Sequence, residues 1–156
     1  MTPKLQAEIK QKAPFPSLEA EVYLNLLRTG ETISREVEQL LRASGLSGTQ
    51  YNVLRILRGA GSEGRTCGET SERMVTHDPD ITRLMDRLEK RNLIIRSRDT
   101  HDRRVVTARI TPEGLQLLAN LDKPLDQLQH SLFRHMTHQE LARLSALLEK
   151  VRTLKA

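Results

Sequence analysis

The chain has 156 residues, 37% of them hydrophobic and 29% charged, which suits one small core with helical extensions. Two Phe, two Tyr and no Trp exclude the aromatic platforms that stack single-stranded bases, and one cysteine excludes an internal disulfide or a multi-thiolate metal site. The net charge of +5 is matched by residues 90–109 alone, where Lys90, Arg91, Arg96, Arg98, Arg103, Arg104 and Arg109 face only Asp99 and Asp102.

In chain order, the N-terminal stretch has no apolar segment of the kind a secretory signal needs. No run approaches the roughly 20 apolar residues of a membrane span. The expectation is a soluble, cytoplasmic protein without a membrane partner. Helix starts are then marked one after another. Ser17 follows Pro14-Phe15-Pro16 and can cap a first helix over 17–44. Ser47 with Gln50 and Thr66 with Glu69 read as capping boxes for helices over 48–59 and 67–74. Asp78-Pro79 places a cap and an N1 proline before a helix over 79–91. Asn92 fits the left-handed position that ends it.

Branched residues then take over. Leu93 to Arg98 and Val105 to Ile110 read as two strands joined by Asp99 to Arg104, so the basic stripe falls on a hairpin. Thr111-Pro112 opens a helix over 112–136, which Pro124 should bend, and Thr137 with Glu140 caps a last helix over 138–154.

The outer helices carry long apolar seams: Leu18, Val22, Leu26, Ile33, Val37, Leu40 and Leu41 in the first, and Leu118, Leu121, Leu125, Leu128 and Leu132 in the fifth. Leu141, Leu144, Leu147, Leu148, Val151 and Leu154 continue the pattern in the sixth. A helix of about 25 residues spans about 38 Å, more than the inner helices cover, so the seams call for a second copy. An intramolecular bundle of the terminal helices is the alternative.

Between them, a short helix, the turn Val75-Thr76-His77 and a longer helix form a helix-turn-helix pair, with the hairpin as a wing. The second helix would offer Asp80, Thr82 and Arg83 to base edges and bury Ile81, Leu84, Met85 and Leu88. The expected fold is therefore mainly α, with a winged helix-turn-helix domain at 45–111 flanked by dimerisation helices at 17–44 and 112–156.

Four segments carry a family resemblance: Leu46-Ser47-x-x-Gln50-Tyr51-x-Val53-Leu54, Ile81 to Leu93, Asp102-Arg103-Arg104, and Ile110-Thr111-Pro112-Glu113-Gly114. In order and spacing they resemble the MarR family of bacterial transcriptional regulators. The resemblance implies a homodimeric repressor, binding palindromic double-stranded DNA and released by a small-molecule effector or an oxidant. It places Thr82 and Arg83 on the recognition helix and Arg104 at the wing arginine, braced by Asp102. Thr66, Thr76, Asp80, Arg87, Arg98 and Arg103 complete the expected DNA-binding set. Asn92 replaces the commoner glycine, and Asp80 stands where a small or hydroxyl residue is usual. Tyr23, Arg28 and Tyr51 are candidate polar groups of an effector pocket among the first, second and fifth helices.

Other signals have plainer readings. Gly59-Ala60-Gly61-Ser62-Glu63-Gly64 matches a dinucleotide fingerprint, but it follows a helix instead of a strand and reads as a flexible loop. Cys67, at a helix N-terminus beside Arg65, reads first as an unremarkable small helix residue, with a thiolate of a redox-responsive regulator as the alternative. His130, His135 and His138 lack the spacing of a metal site, and His77 and His101 read as loop residues near DNA. No nucleophile–base constellation suggests an enzyme, and no cofactor is expected. A winged-helix module without sequence choice is the remaining alternative.

Overall fold

The computed structural model describes residues 4–76, 80–98, 102 and 104–153. Its elements run α1 (Lys4–Glu8), α2 (Leu18–Arg42), α3 (Gly48–Ala60), β1 (Arg65–Thr66), α4 (Cys67–Glu72), α5 (Ile81–Lys90), β2 (Ile94–Arg98), β3 (Val106–Ile110), α6 (Pro112–Phe133) and α7 (His138–Arg152). The three capping boxes form as the spacing predicts, at Ser47/Gln50, Thr66/Glu69 and Thr137/Glu140. Ser17 and Thr111 cap α2 and α6 through their hydroxyls.

The cap of α5 is corrected. Asp80, not Asp78, accepts the N–H of Arg83, and the helix begins at Ile81. Asp78 and Pro79 lie outside the described residues, as do His77, Asp99, His101, Arg103 and Leu154. The fifth predicted helix ends at Phe133, three residues early, and Pro124 sits inside it. Besides a 3-10 turn at Gly61–Glu63, two elements go beyond the sequence-based expectation. These are α1 and β1, the latter a two-residue strand that turns the hairpin into a three-stranded antiparallel sheet ordered β1-β3-β2.

Two helices end alike. Asn92 (φ 56°) lets Leu93 N–H reach Leu88 O and Asn92 N–H reach Glu89 O, and Gly45 (φ 64°) does the same for α2 through Leu46 and Leu41. Both hydrophobic residues that follow, Leu46 and Leu93, enter the core. That core is one cluster: Leu41, Val53, Leu54 and Leu57 meet Leu84, Met85 and Leu88 of α5, Ile94 and Ala108 of the sheet, and Leu118, Leu121 and Leu125 of α6. Thr111 fastens the sheet to α6, donating to Asn92 O (2.7 Å) while accepting from Gly114 N (3.0 Å). Gly114 must be glycine because a Cβ would run into the Leu93 carbonyl.

Candidate nucleic-acid interface

The apolar period of α5 decides what it shows to solvent. Leu84, Met85 and Leu88 are buried and Ile81 is packed against the core, so Thr82, Arg83, Arg87 and Lys90 form the opposite, exposed face. Val75 N–H donates to Asn52 Oδ1 (2.8 Å), which ties the turn before α5 to α3 and leaves Thr76 exposed beside it. Arg83 is 78% exposed, with its Nε 3.2 Å from Asp80 Oδ2. Asp80 is therefore committed twice within its own chain, to the helix cap and to Arg83, instead of being presented freely to a base. Thr66 is likewise engaged, its hydroxyl capping α4.

The wing rises beside this face. Arg98 and Arg104 are exposed near its tip, and the Arg104 backbone N–H donates to Asp102 Oδ1 (2.9 Å). Arg103 lies outside the described residues. Along one face of β2 the side chains grade from buried Ile94 through part-buried Arg96 to exposed Arg98. The basic stripe is consequently less available than its charge suggests. Arg96 pairs with Asp86 and Glu89 of α5, both at 2.6 Å. Arg91 donates to Gly45 O (2.6 Å) and Ser44 O (3.0 Å), and Arg109 to Ser62 O (2.6 Å) and Ser97 Oγ (2.7 Å). Three of the seven cations serve the fold. Charge counting alone misses this division, although two acids three residues apart on one helix face, just before a basic strand, foreshadow it.

The expected effector trio does not converge. Tyr51 lines a cleft of about 320 Å³ between α2 and α3, together with Ile33, Val37, Asn52 and Arg55. The Arg55 guanidinium lies 5.9 Å from the Tyr51 ring centroid, and burial pushes the phenol above its usual pKa against the pull of Arg55 and Arg58. Arg28 instead lines a separate cleft with Leu5, Phe133 and Leu144, and Tyr23 is 61% exposed. Tyr23 faces nearly the same way as Val37 around α2 but lies 14 residues, about 21 Å, away along it, and Arg28 opens on the second cleft, with Ile33 bordering both.

The surroundings of Cys67 favour the plain reading over the redox alternative. Its sulfur sits 3.3 Å from Met85 Sδ, and burial raises its pKa, outweighing the opposing pull of Arg96, so the local environment opposes a thiolate. The glycine run is not a flexible loop: Gly59 and Ala60 end α3, and Gly61–Glu63 form a 3-10 turn that packs on β3. Gly64 (φ 70°) lies where a Cβ would strike the Ala108 carbonyl. Among the described residues no three metal-capable side chains converge, and His130 lies 3.6 Å from Asp126 on the same helix. No described helix is long and apolar enough to cross a membrane.

The model of the MarR family matches residues 46–106, the region that carries α3 to the start of β3. A MarR transcription factor of known structure from Planctomyces limnophilus is 39% identical, covering 86% of this chain and 98% of that one, with a TM-score of 0.69. The HTH-type transcriptional repressor MdtR of Bacillus subtilis (strain 168) is 34% identical over 97 residues, 62% of this chain. That alignment spans 61% of the repressor's length. The S. aureus MepR–DNA complex shares the fold at 22% identity and a TM-score of 0.75, over 85% of this chain and 96% of that one.

Proposed function

We propose that this chain, which belongs to the MarR family of transcriptional regulators, acts in the cytoplasm as a homodimeric, sequence-specific repressor of palindromic operators, released by a small molecule. One observation carries the reading. The exposed face of α5, with Thr82, Arg83 and Arg87, stands beside a wing tipped by Arg98 and Arg104, so a groove-reading helix and a backbone-reaching hairpin share one side. Residues 45–111 are the DNA-binding unit, and 17–44 with 112–156 the dimerisation unit. The latter assignment is supported by apolar side chains left in solvent on α2 and α7, among them Leu18, Leu27, Leu147 and Val151. The repressor role is supported by likeness to MdtR. The cleft beside Tyr51 is the effector site, because it lies between a dimerisation helix and the helix that anchors the turn before α5. A ligand there shifts the balance between spacings of the two recognition helices.

The test is equilibrium binding to an inverted repeat beside the protein's own gene, compared with single-base variants and random duplex at fixed salt. Arg83→Ala is expected to lose affinity at one base pair in each half-site, with half-site centres about 10 bp apart or a multiple of that. An equal loss on every duplex would assign Arg83 to the phosphate backbone. Arg104→Ala is expected to weaken all duplexes and to lower the salt slope by about 0.9 for each phosphate that Arg104 neutralises.

A further inference from the structure

Arg96 is a paradox if every cation of the wing is there for DNA. It lies one step inward from Arg98 on the inner face of β2, opposite the buried Ala108 of β3, and only 22% of its side chain is exposed. Its Nε and Nη2 donate to Glu89 Oε2 at 2.9 and 2.6 Å, and Nη2 also donates to Asp86 Oδ1 at 2.6 Å. The Arg96 backbone N–H reaches the other oxygen of Glu89 at 3.1 Å. One glutamate thus holds both the main chain and the side chain of a single wing residue, and a second acid on the same side of α5 completes the fork.

The charge balance of this cluster is the informative part. Asp86 and Glu89 bring two negative charges to α5, and Arg96 returns one positive. The net charge of the cluster is negative, on the very helix proposed to enter a polyanionic groove. Electrostatics alone disfavours that arrangement for DNA affinity. Geometry favours it, because the burial of β2 against the core ends at Ile94, and past Ser97–Thr107, the last pair flanked by β1, the hairpin runs on as two strands. Beyond Ile94, this fork ties β2 directly to α5, beside the Arg109 bonds that join Ser97 to Ser62.

Resting on the DNA-binding reading above, we propose that Arg96, with Asp86 and Glu89, is a positioning clamp that fixes the wing against the recognition helix, and that Arg96 is not itself a DNA contact. Phosphate contacts from the wing tip and base contacts from α5 are then made in one register, and loosening the clamp separates them.

The experiment compares full-length wild type, Glu89→Gln, Arg96→Met and the exchanged pair Arg96→Glu with Glu89→Arg. Operator and random duplexes are titrated over a range of salt, with thermal melts to confirm folding. Glu89→Gln is expected to weaken operator binding about tenfold, the scale of a broken charge-assisted hydrogen bond, although it removes a negative charge. Arg96→Met is expected to do the same with an unchanged salt slope, and the exchanged pair to regain most of the loss. Tighter operator binding by Glu89→Gln would overturn the clamp. So would a slope reduced by about 0.9 in Arg96→Met, which marks a phosphate partner. Amide hydrogen exchange on the free proteins supplies a readout without DNA. Exchange at residues 95–98 should quicken in both single variants relative to α3, and unchanged exchange would overturn the clamp. Failure of wild type to prefer its operator would instead count against the functional reading and leave the exchange result to decide the clamp.

Discussion

The molecule is built of two regions that solve burial differently. Between Leu41 and Leu125 the chain closes on itself: 14 of its hydrophobic residues form one cluster in which α3, α5, the sheet and the first half of α6 each contribute. Outside that span, α2 buries only Leu41 of its 25 residues, and α7 buries none of its 15. Yet both outer helices carry apolar side chains at helical spacing and are as well capped as the inner ones. Capping and periodicity define a helix, but only a facing surface stabilises it; the end of α2 finds one on α3 and α6 through Val37, Leu40 and Leu41, while Leu18, Leu27, Leu147 and Val151 stay in solvent. On the reading proposed above, the winged region closes largely on itself and the terminal helices await a second copy.

Substitution in each region sharpens this contrast. In the inner cluster, Leu54 is fully buried, and Leu54→Ala should destabilise the fold by about 2–5 kcal/mol, with a lowered urea midpoint at an unchanged transition slope. A loss under about 1 kcal/mol would mean that the winged region is not the cooperative unit. On the outer seam, Leu147 is 51% exposed in the single chain. Leu147→Asp should leave secondary structure intact while moving the sedimenting species from dimer to monomer at micromolar concentration, since an unpaired charge would have to be buried. A wild type that sediments as a well-folded monomer would erase the distinction between the regions.

Acid titration gives the smallest effect and separates the regions by cause. Glu89 is held below the usual carboxylate range chiefly by its hydrogen bond from Arg96, and Glu140 by the Thr137 cap of α7. A carboxylate depressed in the folded state contributes stability that is complete above its unfolded pKa, about 4.3, and lost as pH falls through the folded value. Stability should therefore fall below about pH 4.3, and Glu89→Gln should flatten that fall in the urea midpoint. Glu140→Gln should alter acid fraying of α7 while leaving the midpoint of the inner cluster in place, as followed by amide exchange in the two helices.

The sequence was most legible where one residue type answers one geometric need. The capping boxes, the left-handed Asn92, the hairpin and the burial of Leu84, Met85 and Leu88 could all be read from spacing alone. It was least legible where the structure uses long-range partners. β1 is two residues long and exists only because Arg65 and Thr66 pair with Ala108 and Thr107 of β3, which no local pattern announces. Asp80 displaced Asp78 as the cap of α5 because two aspartates flank one proline and sequence does not choose between them. For the candidate interface, exposure of Thr82, Arg83, Arg87, Arg98 and Arg104 followed from periodicity and charge. The division between cations that hold the fold and cations left in solvent did not, since Arg91 and Arg109 find their carbonyls 46 and 47 positions away. The placement of Tyr51 and Arg28 in different clefts is equally a matter of long-range packing.

Arg91 joins the end of α5 to the turn after α2, so a tilt of α2 would be passed to α5. Helix α2 has 25 residues and is about 38 Å long. A tilt of about 5° about its far end therefore carries the end that Arg91 holds through about 3 Å. A hydrogen bond to a base edge tolerates only a few tenths of an ångström around a donor–acceptor distance of about 2.9 Å. Small angular adjustments where α2 meets its surroundings are thus magnified, at Ser44 and Gly45, into displacements large compared with the tolerance of any hydrogen bond α5 would make.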